Sequence, residues 1–187
     1  MSGAKIAAIT ASVLAMAPLD SVPRSAGVAA RPSAEIDFDA GVEYQAGNYP
    51  CSVVVGRLNA DPIPDLAVAD YGSNKVSVLL GKGDGTFGAR HEFSAPLLPY
   101  TLVIGDLNQD GREDLAVASE GAGTVSVLLG EGDGTFGGRV DLEGEGGAYS
   151  IAIGDLNGDG IPDLVTANLN LTRVSVLLGR GEGSFQV

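Results

Sequence analysis

An all-β fold of repeated four-stranded antiparallel units is predicted by three features of the sequence. Gly56, Gly105 and Gly154 recur every 49 residues, and Asp65, Asp114 and Asp163, Gly81, Gly130 and Gly179, and Phe87, Phe136 and Phe185 keep the same period with no insertion or deletion. Each period holds short runs rich in β-branched residues, and nothing between residues 34 and 187 shows a helical period. The 28 glycines concentrate in the links between those runs, where tight turns need them. A strict period of this length marks an array of like units, none able to bury its own faces without a neighbour.

The second unit shows the elements in order. Residues 102–104 form an apolar run that enters an acidic loop, and residues 115–118 form the run that leaves it. The third run, 124–129, is β-branched, and the Gly-Asp-Gly at 132–134 follows it as hairpin chemistry before Phe136. The fourth, 138–142, alternates polar and apolar residues and reads as an outer, wetter strand. Four such strands per unit of this length make the blade of a β-propeller, so the fold class is all-β, with about three 49-residue blades forming a partial or oligomer-completed propeller. The Gly-Asp-Gly pairs around Asp84 and Asp133 are read as turns rather than auxiliary cation ligands, and Glu182 replaces the aspartate in the third unit, as a turn tolerates.

The acidic loop carries the chemistry. It spans 106–114 with Asp106, Asn108, Asp110 and Asp114, and 155–163 with Asp155, Asn157, Asp159 and Asp163. Oxygen side chains at its first, third, fifth and ninth positions, with glycine at the sixth for a sharp turn, suit a hard cation that takes six to eight oxygens at about 2.3–2.6 Å, such as calcium. Arg112 and Ile161, at the seventh position, would offer only their carbonyls, which leaves their side chains unconstrained. The first unit departs from this pattern, with Arg57 at the first position and Pro62 at the sixth, while Asn59, Asp61 and Asp65 remain. One reading pairs the Arg57 guanidinium with Asp61 or Asp65 in place of a cation; the other is a drifted loop with Arg57 in solvent.

These loops, with 174–179 and Gly183-Ser184-Phe185, resemble the FG-GAP/VCBS repeat, which builds the amino-terminal propeller of integrin α subunits and many secreted bacterial propellers. The resemblance covers nearly all of 52–187. It implies calcium held by Asp106, Asn108, Asp110, the Arg112 carbonyl and Asp114, and by Asp155, Asn157, Asp159, the Ile161 carbonyl and Asp163. It also implies recognition on a propeller face, hence adhesion or ligand binding with an extracellular protein or a polysaccharide as partner.

Composition narrows the classes. A net charge of −13 argues against nucleic acid as a partner. Residues 1–30 resemble a signal peptide: Lys5, an apolar stretch over 6–17 too short to span a bilayer, and small residues at 28–30. The expected location is secreted, extracellular or periplasmic, where a calcium site with a dissociation constant of about 10⁻⁴–10⁻³ M stays loaded. Cys51 is the single cysteine and His91 the single histidine, and neither is assigned a catalytic role. Cys51 is expected as a small apolar residue in a blade joint. The expectation is therefore a non-enzyme; the alternative is the propeller part of a secreted polysaccharide lyase, with exposed Arg112 and Lys82 as candidates. The absence of tryptophan and the small number of tyrosines argue against a sugar platform.

The organisation read from these features is a signal peptide at 1–30, a linker and terminal strand at 31–51, repeat 1 at 52–100, repeat 2 at 101–149, and repeat 3 at 150–187 without its last strand. Residues 34–51 match the tail of a repeat: Phe38 takes the phase of Phe87, and Tyr44 that of Phe93. Three blades are too few to close a ring. The chain is thus either a fragment of a longer product or half of a six-bladed ring closed by exchange of terminal strands in a homodimer, with a lone open stack remaining.

Overall fold

The computed structural model describes residues 41–142 and 147–186. Residues 1–30, expected as a signal peptide, Phe38 and the first part of the 31–51 segment lie outside the described residues. Residues 42–187 form one compact unit, in which twelve strands make three four-stranded antiparallel sheets, each a blade with its strands in chain order.

Blade 1 contains β1 (Pro50–Gly56), β2 (Asp65–Asp70), β3 (Lys75–Gly81) and β4 (Phe87–Ser94). Blade 2 repeats it with β5 (Pro99–Gly105), β6 (Asp114–Ser119), β7 (Val125–Gly130) and β8 (Phe136–Leu142). Blade 3 has β9 (Ala148–Gly154), β10 (Asp163–Asn168), β11 (Arg173–Gly179) and the two-residue β12 (Phe185–Gln186), with one 3-10 turn at Leu169–Leu171. Registers also repeat: Gly56 opposes Asp65, Gly105 opposes Asp114, and Gly154 opposes Asp163.

The core lies between the blades. β2 and β6 are buried on both faces apart from one half-buried residue in β2, which explains why their sequences show no polar alternation. Leu58, Val76, Val78, Leu102, Leu115 and Val117 fill the joint between blades 1 and 2. Leu107, Val125, Val127, Ile151, Leu164 and Leu177 fill the joint between blades 2 and 3. Phe93 of blade 1 meets Phe136 of blade 2 edge to face at 5.1 Å and closes the outer end of the first joint. β4 and β8 are largely exposed, as the alternation of 138–142 anticipated.

The same topology separates two ends of the stack. The acidic loops join the first strand of a blade to the second at one end. Cys51, Tyr100 and Tyr149, near the starts of β1, β5 and β9, sit at the other.

Candidate functional site

At the acidic end, the ninth-position aspartate is the most constrained group. Asp65, Asp114 and Asp163 are all fully buried. In blade 1, Asp65 accepts from the Leu58 amide at 2.9 Å and, across the sheet, from the Gly81 amide at 2.8 Å. Asp114 accepts from Leu107 and Gly130, both at 2.8 Å. Asp163 accepts from Leu156 at 2.8 Å and Gly179 at 2.7 Å. Each carboxylate thus ties the loop to the end of the third strand with one bond per oxygen. A side chain at that glycine would strike backbone, since an added Cβ lies 2.2 Å from a carbonyl oxygen in all three blades.

The rest of the intact loops folds by turning oxygen atoms onto amides. Asp106 accepts from Asp110 N at 3.0 Å and Gly111 N at 2.9 Å, and Asp155 accepts from Gly158 N at 2.7 Å and Gly160 N at 2.9 Å. Asn108 and Asn157 accept from the amides of Asp110 and Asp159, which accept in turn from Arg112 N and Ile161 N. Left-handed backbone at Gln109 and Gly111, and at Gly158 and Gly160, makes these turns. Hydrogen bonds hold two of the carboxyls below the ordinary range: Asp110 through the Asn108 amide first, and Asp155 through the Gly160 amide first. Burial pushes Asp114 the other way.

The donor set consists of hard oxygens, and a carboxylate oxygen that accepts one amide bond keeps a further lone pair. In that respect the loops fit a divalent cation. Their oxygens, however, are engaged by backbone amides and by the Asn108 and Asn157 side chains, which donate to Asp110 at 3.0 Å and Asp159 at 2.8 Å, and among the described residues no group of three His, Cys, Asp or Glu forms a ready metal cluster.

Blade 1 separates the two readings of its loop. The Arg57 guanidinium forms no ion pair with Asp61 or Asp65 among the described residues, and Arg57 is exposed. Arg57 is held instead through its own amide, which donates to Glu113 of blade 2 at 2.9 Å. Its side chain lines a cleft of about 580 Å³ together with Arg112, Glu113 and Glu131. The two departures of this loop are coupled. In the intact loops the sixth-position glycine amide donates to the first-position aspartate; blade 1 lacks both that carboxylate and, at Pro62, that N–H, so no donor is orphaned.

The Gly-Asp-Gly segments are hairpin turns. The Thr86 amide donates to Asp84, and the Thr135 amide to Asp133, both at 2.9 Å. Cys51 sits at the joint of blades 1 and 2, as expected, where its thiol donates to the Tyr100 carbonyl at 3.0 Å, but it is exposed there rather than buried; partial desolvation of the thiol pushes its pKa up, away from nucleophile character. His91 lies exposed on β4 opposite Val78.

The opposite end holds a cluster that residue counting missed. Tyr71 and Tyr100 meet edge to face at 6.2 Å, and Tyr100 and Tyr149 are tilted at 4.9 Å. The Tyr71 hydroxyl donates to Glu120 at 3.1 Å, and the Tyr71 amide donates to the carbonyl of Tyr49, which is 61% exposed. Four of the five tyrosines therefore share one end of the stack. Beside them a depression of about 720 Å³ is lined by Tyr149, Asn168, Leu169 and Thr172. The usable signal was phase, since Tyr100 and Tyr149 share that of Cys51, and Tyr71 shares that of Glu120.

The FG-GAP-like repeat model matches residues 57–117 and 106–166, more than half of the chain, and the chain belongs to that family. Its repeats, with aspartates of this pattern, often bind calcium. No curated protein matches the sequence. Among solved structures, a lectin of Agrocybe aegerita, described for specific recognition of non-reducing terminal N-acetylglucosamine, is similar with a TM-score of 0.52 and 23% identity. The match covers 72% of this chain and 36% of the lectin, so the chain spans about a third of that protein, and the likeness shows the fold alone.

Two outcomes follow from the contacts. Asp65→Ala, which strands two amides in the blade with the degenerate loop, should cost about 3 kcal/mol in denaturant unfolding, with the same loss in calcium and in chelator; a loss below about 1 kcal/mol would contradict the clamp. The Glu120 carboxylate pushes Tyr149 up to about 12, so the neutral phenol is favoured in the fold and that contribution is lost only as pH rises through about 12. Glu120→Gln should return the tyrosinate titration toward 10.0, read by ultraviolet difference absorbance; an unmoved titration would contradict the contact.

Proposed function

We propose that this chain is a secreted, calcium-loaded propeller module that binds a saccharide on its tyrosine face and catalyses nothing. The observation carrying the reading is the cluster of Tyr71, Tyr100 and Tyr149 beside Glu120, with Tyr49 joined to it through the Tyr71 amide. Aromatic faces supply flat apolar contact for the C–H side of a pyranose ring, while phenols and a carboxylate supply donors and an acceptor for its hydroxyls. The fold likeness to a lectin that recognises N-acetylglucosamine agrees in class.

Calcium belongs to the other end in this reading. Asp106, Asn108, Asp110, the Arg112 carbonyl and Asp114 would hold one ion, and Asp155, Asn157, Asp159, the Ile161 carbonyl and Asp163 the other. A bound ion supplies charge neutralisation among clustered carboxylates. The chain's own amide bonds already shape both loops, so the ion adds rigidity to a preformed turn. Blade 1, with Arg57 and Pro62, takes none.

The test combines metal counting with glycan binding by the full chain in millimolar calcium. Two ions per chain are expected, falling to one in Asp110→Ala. Saccharide affinity should drop about tenfold, or about 1.4 kcal/mol, in Tyr100→Ala. Three bound ions, or a glycan affinity indifferent to Tyr100 and Tyr149, would contradict the assignment.

A further inference from the structure

Two sheet faces of this stack are uncovered, and they are the two halves of one joint. Val53 and Val55 on β1 are 59% and 61% exposed, whereas Leu102 and Ile151, which occupy the Val53 phase in the next two blades, are 2% and 7% exposed. Each of those lies in the core shared with the blade before it: Leu102 in one core with Val76 and Val78, and Ile151 in one with Val125 and Val127. On β11, the residues in the phase of Val76 and Val78 are Val174 and Val176, and they are 63% and 41% exposed. Blade 3 therefore presents the surface that blade 1 lacks in front of it.

The segment before β1 already occupies part of the missing neighbour. Tyr44 packs edge to face on Phe87 at 5.3 Å and 86°, and the equivalent contact between blades 1 and 2, Phe93 on Phe136, has 5.1 Å and 79°. Tyr44 also shares the repeat phase of Phe93, a residue of β4. Residues 42–49 thus lie where the fourth strand of a preceding blade would lie, pinned by the Gly47 amide on the buried Asp70 carboxylate at 2.9 Å. Conversely, β3 is paired with β4 from Lys75 to Gly81, but β11 meets β12 only at Leu178 and Gly179. Among the described residues, the 174–177 edge of β11 carries no fourth strand.

The sequence of residues 1–40 does not carry the repeat pattern of the first three strands of that preceding blade. There the phase of Asp65 falls on Met16, which offers no carboxylate, and that of Gly81 on Pro32, which has no N–H to donate. We propose that a second copy of this chain supplies them. β9, β10 and β11 of the second copy seat on the Val53 and Val55 face, and residues 42–49 of the first copy complete that blade along the 174–177 edge. The same joint made in the other direction closes two copies into a six-bladed ring, within the four to eight blades that propellers close with, and leaves no open face.

The test is the mass of the full chain by light scattering across a concentration series in millimolar calcium, followed by two double variants at exposed positions. The expected result is twice the chain mass of 18.9 kDa, reduced to one chain by Val53→Asp with Val55→Asp and, separately, by Val174→Asp with Val176→Asp, with circular dichroism unchanged. An equimolar mixture of the two variants should regain the double mass, because one unaltered joint forms per pair. A wild-type mass of one chain, an open-ended ladder of masses, or a dimer that survives both variants would overturn the proposal. The wild-type measurement decides even if a variant fails to fold.

Discussion

A buried aspartate joined to two backbone amides is the contact on which each blade depends. Asp65, Asp114 and Asp163 each hold the second residue of the loop and the glycine that ends the third strand, 16 residues further on. The carboxylate pays its desolvation through two short charge-assisted bonds. In return, the ends of three strands and the loop share one fixed point. The arrangement persists in blade 1, where the first and sixth loop positions have lost the cation pattern.

From that fixed point follows a division of labour along the stack. The loop end is built from carboxylates and amides and faces away from the tyrosines. Residues at the opposite end are free of the clamp's geometric demands, since β1 and β2 are already held in register by Gly56 opposite Asp65. Side chains there vary from blade to blade, with Cys51, Tyr100 and Tyr149 in one phase and Tyr71, Glu120 and Leu169 in another. An array with an invariant scaffold and a variable face is the usual way a repeat protein acquires a binding surface.

Much of this was legible in the sequence because the 49-residue phase was unbroken. Strand order, the outer position of the fourth strand and the hairpin role of Asp84 and Asp133 all follow from composition within one period. The ninth-position aspartate was read through its place in a cation pattern. The recurrence of Gly81, Gly130 and Gly179 was visible, but that their amides reach back to the aspartate is a fact of three-dimensional register. The sequence leaves Arg57 with two readings, paired or in solvent, and the structure has it exposed with no ion pair to Asp61 or Asp65 among the described residues. The small number of tyrosines argues against a sugar platform only if they are scattered, and neighbouring blades bring residues of like phase together. That convergence makes a few aromatic side chains into one surface.

The most direct test of the clamp is amide hydrogen exchange at Leu58, Gly81, Leu107, Gly130, Leu156 and Gly179, in calcium and after chelation. All six amides should remain protected in both conditions, those of blade 1 as strongly as those of blades 2 and 3. Rapid exchange at Leu107 and Gly130 once calcium is removed, with Leu58 and Gly81 unchanged, would contradict the account and make the metal, rather than the carboxylate, the element that holds the blade.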